Sequence, residues 1–378
     1  MKMEHIIMYI NPQSMKNLSI YDHGVLSSVK DKVIYVCSTY YDYKAMNDNI
    51  AFIRLFKYNR ISNPIVKAAS YLLSLARLLI LIMHTRPEIL HIQWFRIPYV
   101  DYCFYSLIKT MFKTKIVYTA HNILPHNTGD KYKHTFCKAY RMFDKIIVHS
   151  QRSKDELCST FNINEDNIHV VRHGLLNMPY DIRLLKTNEH QYLLKYDIKH
   201  KTVFLSLGEQ SPYKGIDLLA KIWAETPELR NNKNIALVVA GKQKGIDISC
   251  LNGIDNAIVE NRVLPNDEFI FLLQHANVYL LPYKTISQSG AMLTALSEKI
   301  PVLVSDVGGL TEPFSISKVG WVVPANDTDA LRSQLVYLSK HIEEISYVKN
   351  DVLAWKKIAM AFNWEKISNE TLKVYFSI

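Results

Sequence analysis

Short apolar, β-branched runs alternate with longer stretches of helical period along nearly the whole chain. In the first half the runs fall at residues 5–10, 32–37, 89–93, 115–119, 145–149 and 168–171. In the second half they fall at 202–206, 235–240, 278–281, 301–305 and 320–323. Near-continuous apolar runs mark strands buried on both faces, and their alternation with helices predicts parallel sheets covered on both sides. Two such sets predict two doubly wound α/β domains. The bounds are residues 1–180 and 181–360, a division that a chain of 378 residues accommodates. Residues 177–200 are polar, lack a strong strand run, and read as the linker. Residues 351–378 read as helix interrupted at Phe362-Asn363-Trp364. A helix left over after the last strand is expected to pack back across, so 361–378 are assigned to the first domain.

Open parallel sheets bind ligands outside the carboxyl ends of their strands. With two facing domains, that rule puts the chemistry in the cleft, on the loops that follow strands. Residues 205–219 form the richest such loop. A strand ends at Gly208, and a helix begins near Gly215 with Lys214 at its mouth. Helix-terminal N–H groups already favour an anion there, and an ammonium adds a phosphate ligand. Taken alone, Lys-Gly before a helix is common. A second loop runs through Gln288-Ser289-Gly290 into a helix and could cradle a diphosphate; its plain alternative is a serine helix cap. Downstream, a strand, the Gly308-Gly309 turn and the carboxylate of Glu312 repeat the pattern. In the first half His121-Asn122, His149-Ser150 and Arg172-His173-Gly174 each follow a strand. A lone His is more often structural. Three His-bearing loops at the ends of neighbouring strands point instead to a site for hydroxyl, phosphate or sugar.

Composition narrows the partners. Hydrophobic residues make up 48% and charged residues 21%, an ordinary globular balance without low-complexity tracts. The net charge of +10 suits nucleic acid, anionic lipid or a phosphate-bearing substrate. No nucleic-acid-binding signature is present and the charge is spread along the chain, which argues against nucleic acid. The five cysteines are odd in number and none are at C-x-x-C spacing. That pattern indicates neither a disulfide framework nor a zinc site and fits a reducing compartment. The first ten residues are too short and strand-like for a signal peptide, so a cytoplasmic location is expected. Residues 64–83 are long and apolar but contain Lys67 and Arg77. An Arg near the centre of a span costs roughly 2.5–3.5 kcal/mol. A buried or interfacial amphipathic helix is therefore expected, possible contact being with the inner face of an anionic membrane.

These residues at this spacing resemble family 4 of the glycosyltransferases, over most of the chain. The resemblance implies the GT-B fold: two Rossmann-like domains facing a cleft, the C-terminal helix crossing back to the N-domain. The family's phosphate-holding segment matches Gly208, Lys214 and Gly215. Its pyrophosphate-facing loop matches 287–290, and its Pro-Val…Gly-Gly-Leu…Glu stretch matches 301–312. Residues 119–122 look like the His loop near the transferred sugar, and 363–367 like the closing helix. The implied activity is sugar transfer from a UDP- or GDP-linked donor to a glycan or lipid-linked acceptor, as in surface polysaccharide biosynthesis. The implied chemistry is retaining and metal-independent, with no cofactor. The expected roles are catalytic for His121 and donor-binding for Gly208, Lys214, Gly215, Gln288, Ser289, Gly290 and Glu312. Asn122, Ser150, Arg172 and His173 are expected on the acceptor or sugar side. The chain also departs from the family. The Arg that usually precedes Lys-Gly is missing from Glu209, Gln210 and Ser211, and Arg262 or Arg172 would have to replace it from elsewhere. Two glutamates around the helix after the pyrophosphate loop are replaced near Ile286 or Ser287 and at Thr294. The Gln-Ser-Gly loop is closer to a bacterial polysaccharide branch. The usual N-terminal glycine pair is absent, and residues 11–24 offer Gly24 alone. The competing readings are a non-catalytic GT-B subunit that partners another transferase, and a sugar-nucleotide epimerase, whose acid/base pair has no candidates here.

Overall fold

In the computed structural model, residues 6–15, 17–41, 48–125, 129–177 and 182–377 are described. The chain divides into two compact units, Met1–Gly174 with Phe362–Ile378, and Leu175–Ala361. The boundary expected at 180/181, the first position of the strand at 5–10, and Ile378 lie outside the described residues.

The first unit holds strands β1 (Ile7–Ile10), β2 (Val33–Ser38), β3 (Ile50–Phe56), β4 (Ile89–Ile92), β5 (Lys115–Thr119), β6 (Lys145–Val148) and β7 (Ile168–Val170). They form one sheet in the order β3-β2-β1-β4-β5-β6-β7, parallel throughout. Ile7 pairs with Val33 on one side and Ile89 on the other. Successive side chains of a strand point to opposite faces. Met8 and Ile10 accordingly enter one core, and Ile7 and Tyr9 the other. The first core lies under α2 (Pro64–Thr85), α3 (Pro98–Phe112), α4 (Lys133–Met142) and α5 (Gln151–Phe161). The second lies under α1 (Asn17–Ser27) and the last helix of the chain.

Helix α2 is the apolar segment noted above, and it begins where its caps dictate. Asn63 Oδ1 accepts from the Ile65 and Val66 N–H groups, and Pro64 occupies the first turn. Its inner stripe of Tyr71, Leu75, Leu78 and Ile82 is buried in the core. The Tyr71 hydroxyl donates to Asp101 Oδ1 of α3 at 2.6 Å. The helix is long and apolar enough to cross a bilayer, yet one side of it packs into the first unit's core.

The second unit holds β8 (Thr202–Leu207), β9 (Ile235–Ala240), β10 (Ala257–Glu260), β11 (Val278–Leu281), β12 (Val302–Ser305) and β13 (Gly320–Val323). Their order is β10-β9-β8-β11-β12-β13, again parallel. Helices α6 (Ile182–Tyr196), α7 (Ile216–Glu225), α8 (Pro227–Arg230), α9 (Asn266–His275), α10 (Gly290–Ser297), α11 (Thr328–Lys340), α12 (Ile342–Asn350) and α13 (Val352–Ala361) belong to this unit. Residues 177–200, read as a linker, contain α6, whose Leu185, Tyr192 and Tyr196 are buried. Helix α6 packs on α9, where Asn188 and Tyr192 donate to Asp267, and Tyr196 and Lys195 to Glu268. These polar contacts give a mostly polar sequence a structured place.

Helix α14 (Trp364–Tyr375) belongs to the first unit and packs on α1. The interruption before it is a cap: Asn363 Oδ1 accepts from the Glu365 and Lys366 N–H groups. Its seat is cut by two glycines. A β-carbon on Gly24 would stand 2.2 Å from the Trp364 ring, and one on Gly174 2.3 Å. Gly24, the one glycine in the first strand–helix loop and helix, therefore serves packing. Gly24→Ala is expected to lower thermal stability, since overpacking costs typically 1–3 kcal/mol. In a Trp364→Ala background the same change should be neutral or favourable, because Ala is about 1 kcal/mol the better helix former. Equal losses in both backgrounds, measured by thermal melting, would show that the ring and the glycine are uncoupled.

Candidate active site

In both sheets the chain reverses direction of travel beside its first strand, between β1 and β4 and between β8 and β11. Ligands of doubly wound sheets lie at such points. Each unit places its candidate residues just past the carboxyl ends of its strands.

In the second unit, β8 ends at Gly208, whose φ of +96° favours glycine. The chain then makes the short turn Pro212–Lys214 and enters α7 through Gly215, φ +66°. A β-carbon at Gly215 would come 2.0 Å from the Pro282 carbonyl oxygen, so the β8–α7 loop packs directly on the end of β11. The two loops are joined further by Lys284 N–H donating to the Tyr213 carbonyl, and by the Lys284–Asp217 ion pair at 2.8 Å. Lys214 sits inside this junction. Its ammonium lies 5.9 Å from the Tyr283 ring centroid. A β-carbon on Gly208 would stand 3.8 Å from that ammonium, so the glycine keeps its surroundings open. Burial pulls the Lys214 pKa down to about 8, and Glu209 opposes the shift from a distance. The side chain is thus a half-buried cation with no hydrogen-bond partner among the described residues.

The loop after β11 supplies the rest. Ser289 is buried and caps α10, its hydroxyl accepting from the Met292 N–H at 3.3 Å. The plain capping role and a place beside a ligand hold together here. Gly290 opens α10 and is exposed. Gln288 has its Oε1 buried without a partner among the described residues. A buried amide oxygen left bare is unusual in a folded chain. Gly308 carries φ +51°, and a β-carbon there would meet the Ile286 carbonyl oxygen at 1.8 Å. Gly309 N–H donates to the Ser287 carbonyl, tying the glycine turn to the Gln-Ser-Gly loop. Glu312 follows half-buried in the same short helical segment, Gly308–Ser315. Gly208, Lys214, Gly215 and the 287–290 loop are therefore gathered, with Glu312 just beyond the turn tied to that loop. Arg262 is not available to them: it pairs with Glu260 at 2.8 Å and with the buried Glu268 at 2.6 Å.

In the first unit the three histidine loops converge. His121, His149 and His173 surround the Tyr21 ring at centroid distances of 4.8, 5.3 and 4.9 Å. Trp94 stacks flat on His121 at 4.6 Å. The C-terminal helix closes the group, with Trp364 against His173 and the Tyr375 hydroxyl on His91 Nδ1. Ser150 is taken up as the cap of α5, accepting from the Ser153 N–H at 3.1 Å. His173 Nδ1 donates to the Gly174 carbonyl. Arg172 Nε is buried with no partner among the described residues. Asn122 is half-buried beside His121.

His91 and Gln93 were not among the sequence candidates. They occupy alternate positions at the end of β4, so both point to one face. Two polar residues alternating in a wholly buried strand were the available signal. They link the group into one chain: His91 Nε2 lies 2.9 Å from Gln93 Nε2, Gln93 Oε1 2.9 Å from His121 Nε2, and His121 Nδ1 3.1 Å from His149 Nε2. His149 Nδ1 lies 2.9 Å from the Val171 carbonyl oxygen and must donate to it. The hydrogens then follow. If Gln93 accepts from His121 Nε2, the His121–His149 contact joins two lone pairs unless one extra proton sits there. If the Gln93 amide is turned over, every member is satisfied with all imidazoles neutral, because an amide's oxygen and nitrogen are exchanged by the flip. Burial settles the balance at neutral pH. It drives the His121 pKa well below its ordinary value, that of His149 to about 4, and those of His91 and His173 to about 3.

Nitrogen NMR at pH 7 is therefore expected to find His121 protonated at Nδ1 and bare at Nε2, and Gln93→Glu should raise the His121 pKa, because a carboxylate favours the imidazolium. An unfolded histidine titrates near 6.5 and these titrate lower, so the unfolded chain binds more protons as pH falls below about 6.5. The histidine contribution to stability should then drop with falling pH through that window by up to about 1.4 kcal/mol per unit per histidine, while Asp22 and Asp101, raised by burial to about 7 and about 6, act in the opposite sense. An imidazolium at His121 or His149 in the NMR spectrum at pH 6 would remove the neutral-chain assignment.

Two family models match the chain. "Glycosyltransferase Family 4" covers residues 27–175, and "Glycosyl transferases group 1" covers residues 201–341. An uncharacterized glycosyltransferase of Methanocaldococcus jannaschii, MJ1607, is 27% identical over 238 residues, which span 61% of this chain and 59% of that protein. Among solved structures, sucrose-phosphate synthase from Thermosynechococcus elongatus superposes with a TM-score of 0.71 at 15% identity, over 99% of this chain and 98% of that one. HepE from Anabaena, solved with UDP-glucose, gives 0.70 at 11% identity, over 99% and 100%. With both sheets, both switch points and the returning C-terminal helix in place, the chain belongs to the family 4 glycosyltransferases of the GT-B fold.

Proposed function

We propose that the protein transfers a hexose from a nucleotide diphosphate donor, UDP- or GDP-linked, to a glycan or lipid-linked acceptor, with retention and without a metal. The observation that carries the reading is Lys214. A cation held half-buried at a sheet's switch point, with no carboxylate in contact among the described residues, destabilises the free protein and is relieved by an anionic ligand. As the sugar leaves, charge develops on the diphosphate, and preorganised donors there lower the barrier. Lys214 and the backbone N–H groups opening α7 and α10 are those donors. Gln288 supplies its amide, and Glu312, an acceptor of hydrogen bonds, suits the donor's hydroxyls rather than its phosphates. HepE was solved with UDP-glucose, and that class of donor is the one assigned here.

His121 holds the sugar or acceptor rather than attacking it. Both of its ring nitrogens are engaged within the imidazole chain, so an incoming hydroxyl exchanges with one of those bonds. The acceptor side is assigned to Asn122, Arg172 and His173, with Ser150 acting through the α5 cap. Assembly of a surface polysaccharide in the cytoplasm is the setting this reading favours, and the five free cysteines are compatible with it. The non-catalytic alternative gives no reason to keep a strained cation beside an open glycine loop.

Calorimetry with nucleoside diphosphate tests the assignment. One charged hydrogen bond is worth roughly 1.5–3 kcal/mol, so Lys214→Ala should weaken diphosphate binding about 10- to 100-fold and leave the nucleoside nearly unaffected. Because the free ammonium is half-titrated near pH 8, binding there should take up roughly half a proton, and none at pH 6. The uptake should vanish in Lys214→Ala. Binding of diphosphate by that variant at wild-type strength would overturn the assignment and favour the non-catalytic reading. His121→Ala should lower turnover much more than donor affinity; unchanged turnover in a folded variant would make His121 structural.

A further inference from the structure

The outer side of helix α2 is as apolar as its inner side. Ile65 is 79% exposed, and Val66, Leu72, Leu73, Ile80 and Met83 are each at least half exposed. They recur at helical spacing opposite the buried stripe of Tyr71, Leu75, Leu78 and Ile82. A surface helix of a globular protein ordinarily turns charged residues outward, and a helix apolar all round is ordinarily buried. Here half of it is not.

The neighbouring helix shows the same feature. Tyr99, Leu107 and Met111 of α3 are exposed at intervals of four and eight residues. The two helices are joined by the Tyr71–Asp101 hydrogen bond, and both connect parallel strands of one sheet, so they run in the same direction. Both helices cover the same core of the first unit, so their outer apolar stripes look out on one side. Exposed apolar patches of this kind mark interaction sites.

The charges around the face identify the occupant. Between residues 64 and 113 the cations are Lys67, Arg77, Arg86, Arg96, Lys109 and Lys113, against the carboxylates Glu88 and Asp101. Asp101 is fully buried and accepts from Tyr71 and from two backbone N–H groups, so it presents no charge outward. Arg77 rises within the apolar stripe itself, while Arg86 and Lys113 end the two helices. No ion pair holds any of these three among the described residues. An apolar face rimmed by free cations complements an anionic bilayer, whose headgroups attract Lys and Arg while its acyl boundary takes the apolar side chains. A second protein surface would meet the same cations without that matching sheet of charge.

We propose that the α2–α3 face docks the protein on an anionic lipid surface, with α2 lying in the plane of the interface. Spanning is ruled out by the inner stripe, which the first unit's core already uses. This docking stands apart from the sugar-transfer reading: its failure would leave transfer to a soluble acceptor untouched.

The test is co-sedimentation of the full chain with vesicles of phosphatidylcholine, alone or mixed with phosphatidylglycerol. Binding is expected to the mixed vesicles, and high salt should release much of the protein, because surface attraction is screened over a few ångströms at about 1 M. Leu73→Glu with Ile80→Glu should abolish binding. Arg77→Ala should weaken it about fivefold, the equivalent of about 1 kcal/mol per basic residue near the surface. Val352→Glu with Leu353→Glu, an equal change at exposed apolar positions of α13 in the second unit, should leave binding intact. Melting curves and nucleotide binding of each variant establish that it is folded. Absence of binding to the mixed vesicles overturns the proposal. So does equal loss in the α13 variant, or a lipid-free dimer that the α2 substitutions convert to monomer while vesicle binding persists.

Discussion

Parallel pairing is the constraint from which the rest of this molecule follows. A parallel strand cannot be joined to its neighbour by a tight turn; the chain must return along a helix, and the helices must cover both faces. The sheets are therefore buried on both sides, and most strands open at their carboxyl ends into a loop leading to a helix or a short helical turn. Those ends hold backbone N–H groups without partners and are the places where polar side chains can sit at the edge of a dry interior. Lys214, the Gln288–Gly290 loop, His121, His149 and His173 all occupy such ends. Each is partly or wholly withdrawn from water, and that withdrawal drives the ammonium and the imidazoles toward their neutral forms. The fold makes charge expensive where the loops converge, and a ligand bringing the opposite charge is correspondingly favoured.

The C-terminal helix shows how far a single chain end can matter to such a site. Helix α14 fills a slot left by Gly24 and Gly174, and so brings Trp364 against His173 and Tyr375 onto His91. The imidazole chain is thus held from one end by the Val171 carbonyl just past β7, and from the other by Tyr375, which is 284 residues after His91 in sequence. Asn363 makes this possible by ending one helix and capping the next, so that the chain can leave the second unit after Ala361 and start afresh in the first.

Most of this architecture was legible in the sequence because central strands of a doubly wound sheet are apolar on both sides. The two strands that were not among the expected runs, β3 and β10, are both edges of their sheets. β10 is half-buried at all four positions, and the apolar run of β3 is interrupted by the exposed Arg54. An edge strand tolerates such exposed positions, which blurs the run that identifies it. Helix α6 was hidden for a related reason. Its few buried residues are spaced through a polar sequence, and it is fixed to α9 by hydrogen bonds to Asp267 and Glu268, which no apolar period records. The candidate site was legible where a residue type announces its chemistry beside a glycine, as at Gly208, Lys214 and Gly215. It was illegible where the chemistry depends on a neighbour from a distant strand. His91 and Gln93 are ordinary strand residues until Thr119, His121 and Tyr375 are brought against them.

The departures from the family pattern bear on the electrostatics of the β8–α7 loop. Glu209, Gln210 and Ser211 stand where a second cation would usually lie, and Arg262 is consumed by Glu260 and Glu268. A second positive charge beside Lys214 would depress its pKa further and make the empty site costlier to fold. Its replacement by Glu209 acts in the other direction, raising that pKa from a distance without neutralising the ammonium. The loop thus trades one cation for a less strained empty state. The remaining donors are dipoles: the opening N–H groups of α7 and α10, and the amide of Gln288. Dipoles need no counter-charge when the site is empty, and they still favour charge as it develops on a leaving group. One cation set among preorganised dipoles is therefore a coherent way to hold a diphosphate, and it accounts for a Gln-Ser-Gly loop standing where a carboxylate-flanked one is usual.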